Sequence, residues 1–181
     1  MQKTSSQIIH FWFHDLTPEQ WWKKDPALDQ LIHEKYQSIH QQAIKGELWE
    51  WRTTTEGRLA EILILDQFSR HLYRDHPQAF ANDSMALMLS QEAISLKTDL
   101  ALTPIQRSFL YLPFMHSESA KIHEIAVQLY TDLGLEQNLK FELLHKRIID
   151  QFGRYPHRNE ILGRISTQEE LAFLQQENSG F

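Results

Sequence analysis

Cysteine is absent from the 181 residues, which excludes a disulfide framework and any thiolate metal site and fits a reducing compartment. Glycine and proline are scarce, six of each, and most of them punctuate the ends of periodic segments. Long apolar runs are missing too. Runs such as Ile62 to Leu65, with Ala60 nearby, are far too short to span a bilayer, and MQKTSSQIIHFWFHD lacks the layout of a signal peptide. There is no excess of positive charge. A net charge of −6 argues against general nucleic-acid binding, which depends on neutralising phosphates. These absences predict a cytoplasmic protein with neither a membrane nor a nucleic-acid partner. An apolar content of 41% supplies a core without any staple.

What is present has a helical period. Leu28, Leu31, Ile32, Tyr36, Ile39, Ala43 and Ile44 form one stripe. Ile122, Ile125, Ala126, Leu129 and Leu133 form a second, and Leu144, Ile148, Ile149 and Phe152 a third. Thr17-Pro18-Glu19-Gln20 and Thr103-Pro104-Ile105-Gln106 read as capping boxes with Pro at the first helical position, and Asp25-Pro26 starts a helix by the same logic. Ser166 to Glu169 reads as another box. Gly46, Gly134 and Gly153 follow periodic segments as C-terminal glycines do. Residues 58 to 70 are apolar on most sides, which predicts a central buried helix. No alternating strand and no Gly/Ser linker interrupts the pattern. The expectation is one all-α domain over residues 1–181, a helical bundle or superhelix of seven to nine helices.

Several polar residues do not fit a plain core. Asp66 shares a stripe with Ile62 and Leu63, with Arg70 one turn on. A buried carboxylate must be paired, so Asp66 is either tied to Arg70 or lines an internal cleft. In YLPFMHSE, Pro113 either kinks or ends its helix. His116 falls on the stripe of Phe109 and Leu112. Ser117 is placed to cap the next helix, and Glu118 to sit in its first turn. His145 shares a face with Ile148, Ile149 and Phe152, as a core histidine or a proton-transfer group.

FGRYPHRN is the densest polar stretch. Gly153 predicts a left-handed helix end, and Pro156 pushes Tyr155 toward extended geometry. Arg154, His157, Arg158 and Asn159 then project from a rigid corner, with Asn159 available to cap a short helix over Glu160 to Leu162. Arg presents a planar fork suited to carboxylate or phosphate, so the corner either ties helices together or binds an anion. His116, Glu118, His145 and His157 could ligate a metal by type, but their spacing carries no metal signal. Neither a phosphate-cradling glycine loop nor a nucleophile elbow occurs. No metal or cofactor is expected. The aromatics of Phe11-Trp12-Phe13, Trp21-Trp22, Trp49 and Trp51 read as core packing or as a partner surface.

IIHFWF, GRLAEILILDQFSRHLYR, AFANDSMAL, RSFLYLPFMHSE, HKRIIDQFGRYPHRNEILGR and STQEELAFL with the terminal Phe181 occur in this order. Over almost its entire length the chain resembles the bacterial domain-of-unknown-function family 924. The resemblance implies an all-helical fold similar to tetratricopeptide-repeat superhelices, and no catalytic residues. Arg107, His116, Ser117, Glu118, His145, Arg154, His157, Arg158 and Asn159 match its polar motif positions. Ser69 and His71 stand where the family has Pro and Asn, and Asp75 where it often has Gly.

Two readings of function follow. In one, an internal cleft binds a small anionic metabolite and suits hydrolytic chemistry. Arg70, Arg107, Arg154, His157, Arg158 and Asn159 would serve as ligand contacts. His116 or His145 would transfer protons, oriented by Asp66 or Glu118. In the other, a helical-repeat surface binds a peptide or protein partner in a concave groove.

Overall fold

In a computed structural model that describes residues 4–176, every regular element is helical. The α-helices are α1 (Ser5–His10), α2 (Pro18–Trp22), α3 (Pro26–Ile44), α4 (Thr55–Leu63), α5 (Ser69–Leu72), α6 (Asp83–Ser95), α7 (Pro104–Met115), α8 (Ala120–Leu133), α9 (Glu136–Phe152) and α10 (Gln168–Leu174). A π-turn, Ile64–Phe68, fuses α4 and α5 into one rod, so the described residues hold nine helices in all. Phe181 lies outside the described residues.

The helix starts follow local chemistry. Thr17 and Thr103 close their boxes with Gln20 and Gln106, and Asp25 Oδ1 accepts from the amides of Ala27 and Leu28. Gly46, Gly134 and Gly153 all have positive φ, which lets the chain leave α3, α8 and α9 in the left-handed conformation. The box expected at Ser166 is shifted by one residue. Thr167, not Ser166, caps α10, and Glu170 completes the reciprocal pair. Ser166 instead accepts from Asn159 Nδ2 at 3.0 Å.

The central rod is buried as its composition demands. Leu59, Ala60, Ile62, Leu63, Ile64, Leu65 and Phe68 are fully covered. Gly57 near its start is a contact requirement: a Cβ there would lie 2.0 Å from the Trp51 carbonyl of the preceding 3-10 turn. Pro113 neither ends nor interrupts α7, which runs on to Met115.

The inward face of α8 differs from the expected stripe. His123, Ala126, Tyr130 and Leu133 are buried, while Ile125 is exposed. Histidine and tyrosine win those positions because their polar tips are satisfied inside. Tyr130 donates to the Ser108 carbonyl at 3.1 Å, and His123 meets Glu142 of α9. The N-terminal aromatics also divide. Trp12 is fully buried, whereas Trp22 stacks on Phe109 yet stays largely exposed, as does Trp49.

Asp75 adopts φ 59°, the left-handed region that a Cβ disfavours. It stands at the position where the resembled family often has Gly, and among the described residues its carboxylate meets only Lys24, at 3.0 Å on the surface. Asp75→Gly should therefore raise stability by about 0.5–1 kcal/mol, because an exposed pair contributes little against relief at positive φ. Urea unfolding checks this. An unchanged or lower midpoint would mean that the turn is not strained.

Candidate functional site

The π-turn carries Asp66 and Gln67 into the core. A π-turn inserts one residue into a helix and re-aims the side chains around it. Asp66 is 1% exposed and its carboxylate is fully engaged. Oδ1 lies 2.7 Å from His116 Nδ1 and 3.1 Å from Arg70 Nη1, and Oδ2 accepts from Gln67 at 2.6 Å. Burial alone would raise the Asp66 pKa. The Arg70 guanidinium and His116 overcome that and hold it well below the carboxylate range.

Arg70 extends the network to α6. Nη1 and Nη2 donate to the two oxygens of Asp83 at 2.9 and 3.1 Å. Asp83 also accepts from Arg158 Nη1 at 3.3 Å. Arg158 is 6% exposed, and its guanidinium lies 4.6 Å from the Phe80 ring centre and 4.5 Å from that of Tyr155. Such a sandwich favours a desolvated cation. The bond to Asp83 is the one hydrogen bond the Arg158 side chain makes among the described residues, and its Nε is buried without a partner. Burial, with Arg70 nearby, pulls its pKa below the usual value for Arg.

Asp83, His116, Glu118 and Arg158 line one cleft of about 290 Å3, walled by Phe80 and Leu162. His116 hands Nδ1 to Asp66, a geometry that leaves Nε2 as its second ring nitrogen. Burial and Arg70 lower its pKa, so the free imidazole is neutral near pH 7. Glu118 is already engaged: it accepts from the Tyr155 amide at 2.8 Å and pairs with Arg164 at 2.7 and 2.9 Å. It precedes α8 rather than sitting in its first turn. The cap position belongs to Ser119, not Ser117. The Ser117 carbonyl instead accepts from His123 Nε2 at 2.8 Å.

The FGRYPHRN corner does not act as one unit. Pro156–Arg158 is a 3-10 turn, on which successive side chains point about 120° apart. Only Arg158 enters the cleft. Arg154 grips both oxygens of Glu170 at 2.6 and 2.8 Å, and Asn159 donates to Ser166 and Glu170 rather than capping a helix. His157 lines a second hollow with Glu160 and Arg164, where burial takes its pKa down to about 4. Arg107 lies elsewhere, donating to the Tyr111 hydroxyl beside Asp99. His145 bonds the Phe141 carbonyl at 2.8 Å and packs edge-on against Tyr155. Burial depresses its pKa to about 3, with His116 among the neighbours that add to the shift.

Sequence reasoning missed Asp83, Tyr155, His123, Glu142 and Arg164. Asp83 reads as a first-turn acid and Glu142 as a surface charge. Only the wrong-phase burial of α8 and α9 would have pointed to the latter. Among the described residues, no group of three or more His, Asp or Glu is arranged to hold a metal ion, and no helix is long and apolar enough to cross a membrane.

Three comparisons place the chain among known proteins. No curated protein matches it. A solved structure from Agrobacterium tumefaciens, described as a protein of unknown function, ATU0120, superposes with a TM-score of 0.90 at 36% identity, covering 94% of this chain and 96% of that one. The model of a family of bacterial proteins of unknown function, DUF924, matches residues 8–178. With that match spanning the rod, the cleft and the FGRYPHRN corner alike, the chain belongs to the DUF924 family.

Proposed function

We propose that the cleft binds a small anionic metabolite, with Arg158 as its anchor and His116 as a proton-transfer group positioned by Asp66. One observation carries the reading. Arg158 is a buried guanidinium, clamped between two rings, with a single long hydrogen bond and an unused donor edge. A cation so placed meets its hydrogen-bonding needs when an oxyanion arrives. The two ring contacts restrict the directions from which an oxyanion reaches the guanidinium. Convergence of Asp83, His116, Glu118 and Arg158 on one cleft, with Asp66 bonded behind His116, supports this reading over a peptide groove. Hydrolysis is the chemistry such an imidazole suits: neutral in the free cleft, it takes a proton from the attacking water and then hands it to the leaving group.

A thermal-shift screen with carboxylated and phosphorylated metabolites and divalent metals tests it. A ligand at 100 times its Kd should stabilise the wild type by about 2.7 kcal/mol. Arg158→Met should lose that response while staying folded, because Met fills the slot between the two rings. Arg158→Lys offers a second variant that keeps the charge without the fork. Arg154→Ala should start from a lower melting temperature, since Glu170 loses its main tie, yet keep the full response. An Arg158→Met protein that responds like wild type would refute the anchor.

A further inference from the structure

The charges around the cleft are balanced before any ligand arrives. Asp66, Asp83 and Glu118 face Arg70, Arg158 and Arg164 through the contacts described above. The buried His123–Glu142 pair is neutral overall wherever its shared proton sits. His145 and His157 are held neutral by burial. An anion entering this set would leave one negative charge uncompensated in a largely desolvated site, which is costly. His116 is the imidazole on the cleft wall. Its Nδ1 is fixed against Asp66, and the groups facing it are Asp66 and Arg70 from the central rod, Asp83 from α6, and His145 from α9. The two acids stabilise an imidazolium there, and Arg70 opposes it.

Building on the anion-binding reading, we infer that the cleft selects a small monocarboxylate and takes up one proton with it, at Nε2 of His116. One proton compensates one charge. A phosphomonoester dianion would bring a second charge that no remaining group on the cleft wall can neutralise. A planar carboxylate also suits the N–H fork of a guanidinium packed against Phe80 and Tyr155 with its Nε unpartnered among the described residues. No covalent step is involved: the proton comes from solvent, and the complex is held by an Arg–carboxylate contact beside an imidazolium. In that complex His116 is a proton donor rather than a base.

The sign of the pH dependence follows. Free His116 titrates below its ordinary range, and a bound carboxylate raises it. Between those two values affinity falls as pH rises, by up to tenfold per pH unit for one linked proton. Titration calorimetry on the full chain tests this with acetate, propionate and benzoate against inorganic phosphate, in Tris and in PIPES at one pH near 7.3. The expected result is carboxylate binding whose heat is more positive in Tris by nearly the full difference between the ionisation enthalpies of the two buffers, with Kd rising severalfold from pH 6.5 to 7.5. His116→Asn keeps a donor for Asp66 but cannot titrate. It should bind more weakly, with no buffer dependence. Carboxylate binding with the same heat in both buffers would overturn the proton uptake while leaving the anion site standing. Phosphate binding as tightly as carboxylate would overturn the ligand class. No binding by any probe, or undiminished binding by Arg158→Met, would overturn this inference together with the site it rests on.

Discussion

Asp66→Ala should destabilise the protein by about 3–5 kcal/mol at pH 7, the range for breaking a buried ionic pair from one side. The carboxylate touches three partners and has essentially no contact with water. Its removal strands the His116 Nδ1–H and takes one of two acids from Arg70. Asp83 still holds Arg70 through both oxygens, which places the cost toward the lower end of that range. The pH dependence has a definite sign. The folded-state pKa of Asp66 lies well below its ordinary value of 3.8. Its contribution is therefore complete above that value and is lost as pH falls from there toward the folded pKa. The gap between wild type and mutant should be constant from pH 6 to 8 and should narrow below about pH 4. Urea midpoints at several pH values measure it. A mutant within 1 kcal/mol of wild type at pH 7 would mean that the π-turn carboxylate is not the tie described. His116 should also lose its orientation, so any ligand response should weaken even where the mutant is folded.

That network shows where sequence periodicity succeeds and where it stops. Residues 58 to 70 are apolar nearly all round, and burial of the whole rod follows from that fact alone. The same uniformity hides the phase. When every face is apolar, no stripe reveals that a π-turn has inserted a residue, and Asp66 could not be aimed. The caps at Thr17, Asp25 and Thr103 were legible because their chemistry is confined to a few neighbouring residues. The box before α10 slipped by one because Ser166 and Thr167 can both cap and Glu169 and Glu170 can both answer. What chose Thr167 was Arg154, which lies sixteen residues before Glu170 in the sequence and fixes it. The site was legible as residue types and not as geometry. His116 and Arg158 stood out, but Asp83, which joins Arg70 to Arg158, looks in sequence like any acid opening a helix. The FGRYPHRN corner ties to acids at separate places, Arg154 to Glu170 and Arg158 to Asp83, for a local reason: the turn after Pro156 fans its side chains apart.

The α8–α9 interface holds the other large effect. His123 and Glu142 are both completely buried, with Nδ1 2.7 Å from Oε1. The Ser117 carbonyl can only accept, so His123 Nε2 carries a proton. One further proton lies between Nδ1 and Oε1. The other oxygen, Oε2, is buried with no hydrogen-bond partner among the described residues, a poor place for half of a carboxylate charge. Burial pushes the Glu142 pKa up, with His123 opposing. The arrangement this favours is a neutral acid donating to a neutral imidazole. Glu142→Gln should then be tolerated, within about 1 kcal/mol of wild type, because the amide N–H donates to Nδ1 as the acid did and its carbonyl occupies the place of Oε2. Glu142→Ala should cost about 2–4 kcal/mol, from the lost contact, an unpaired Nδ1 and a cavity between the helices. Equilibrium unfolding of the two variants decides the protonation state. A charged pair predicts the opposite for Gln, about 3–5 kcal/mol, because an imidazolium would be left buried without its counter-charge. Since His123 also holds the Ser117 carbonyl and lies 3.2 Å from the Tyr155 hydroxyl, a neutral pair fixes the cleft wall without adding charge to it. The electrical balance at His116 and Arg158 is then set by the groups of the cleft itself.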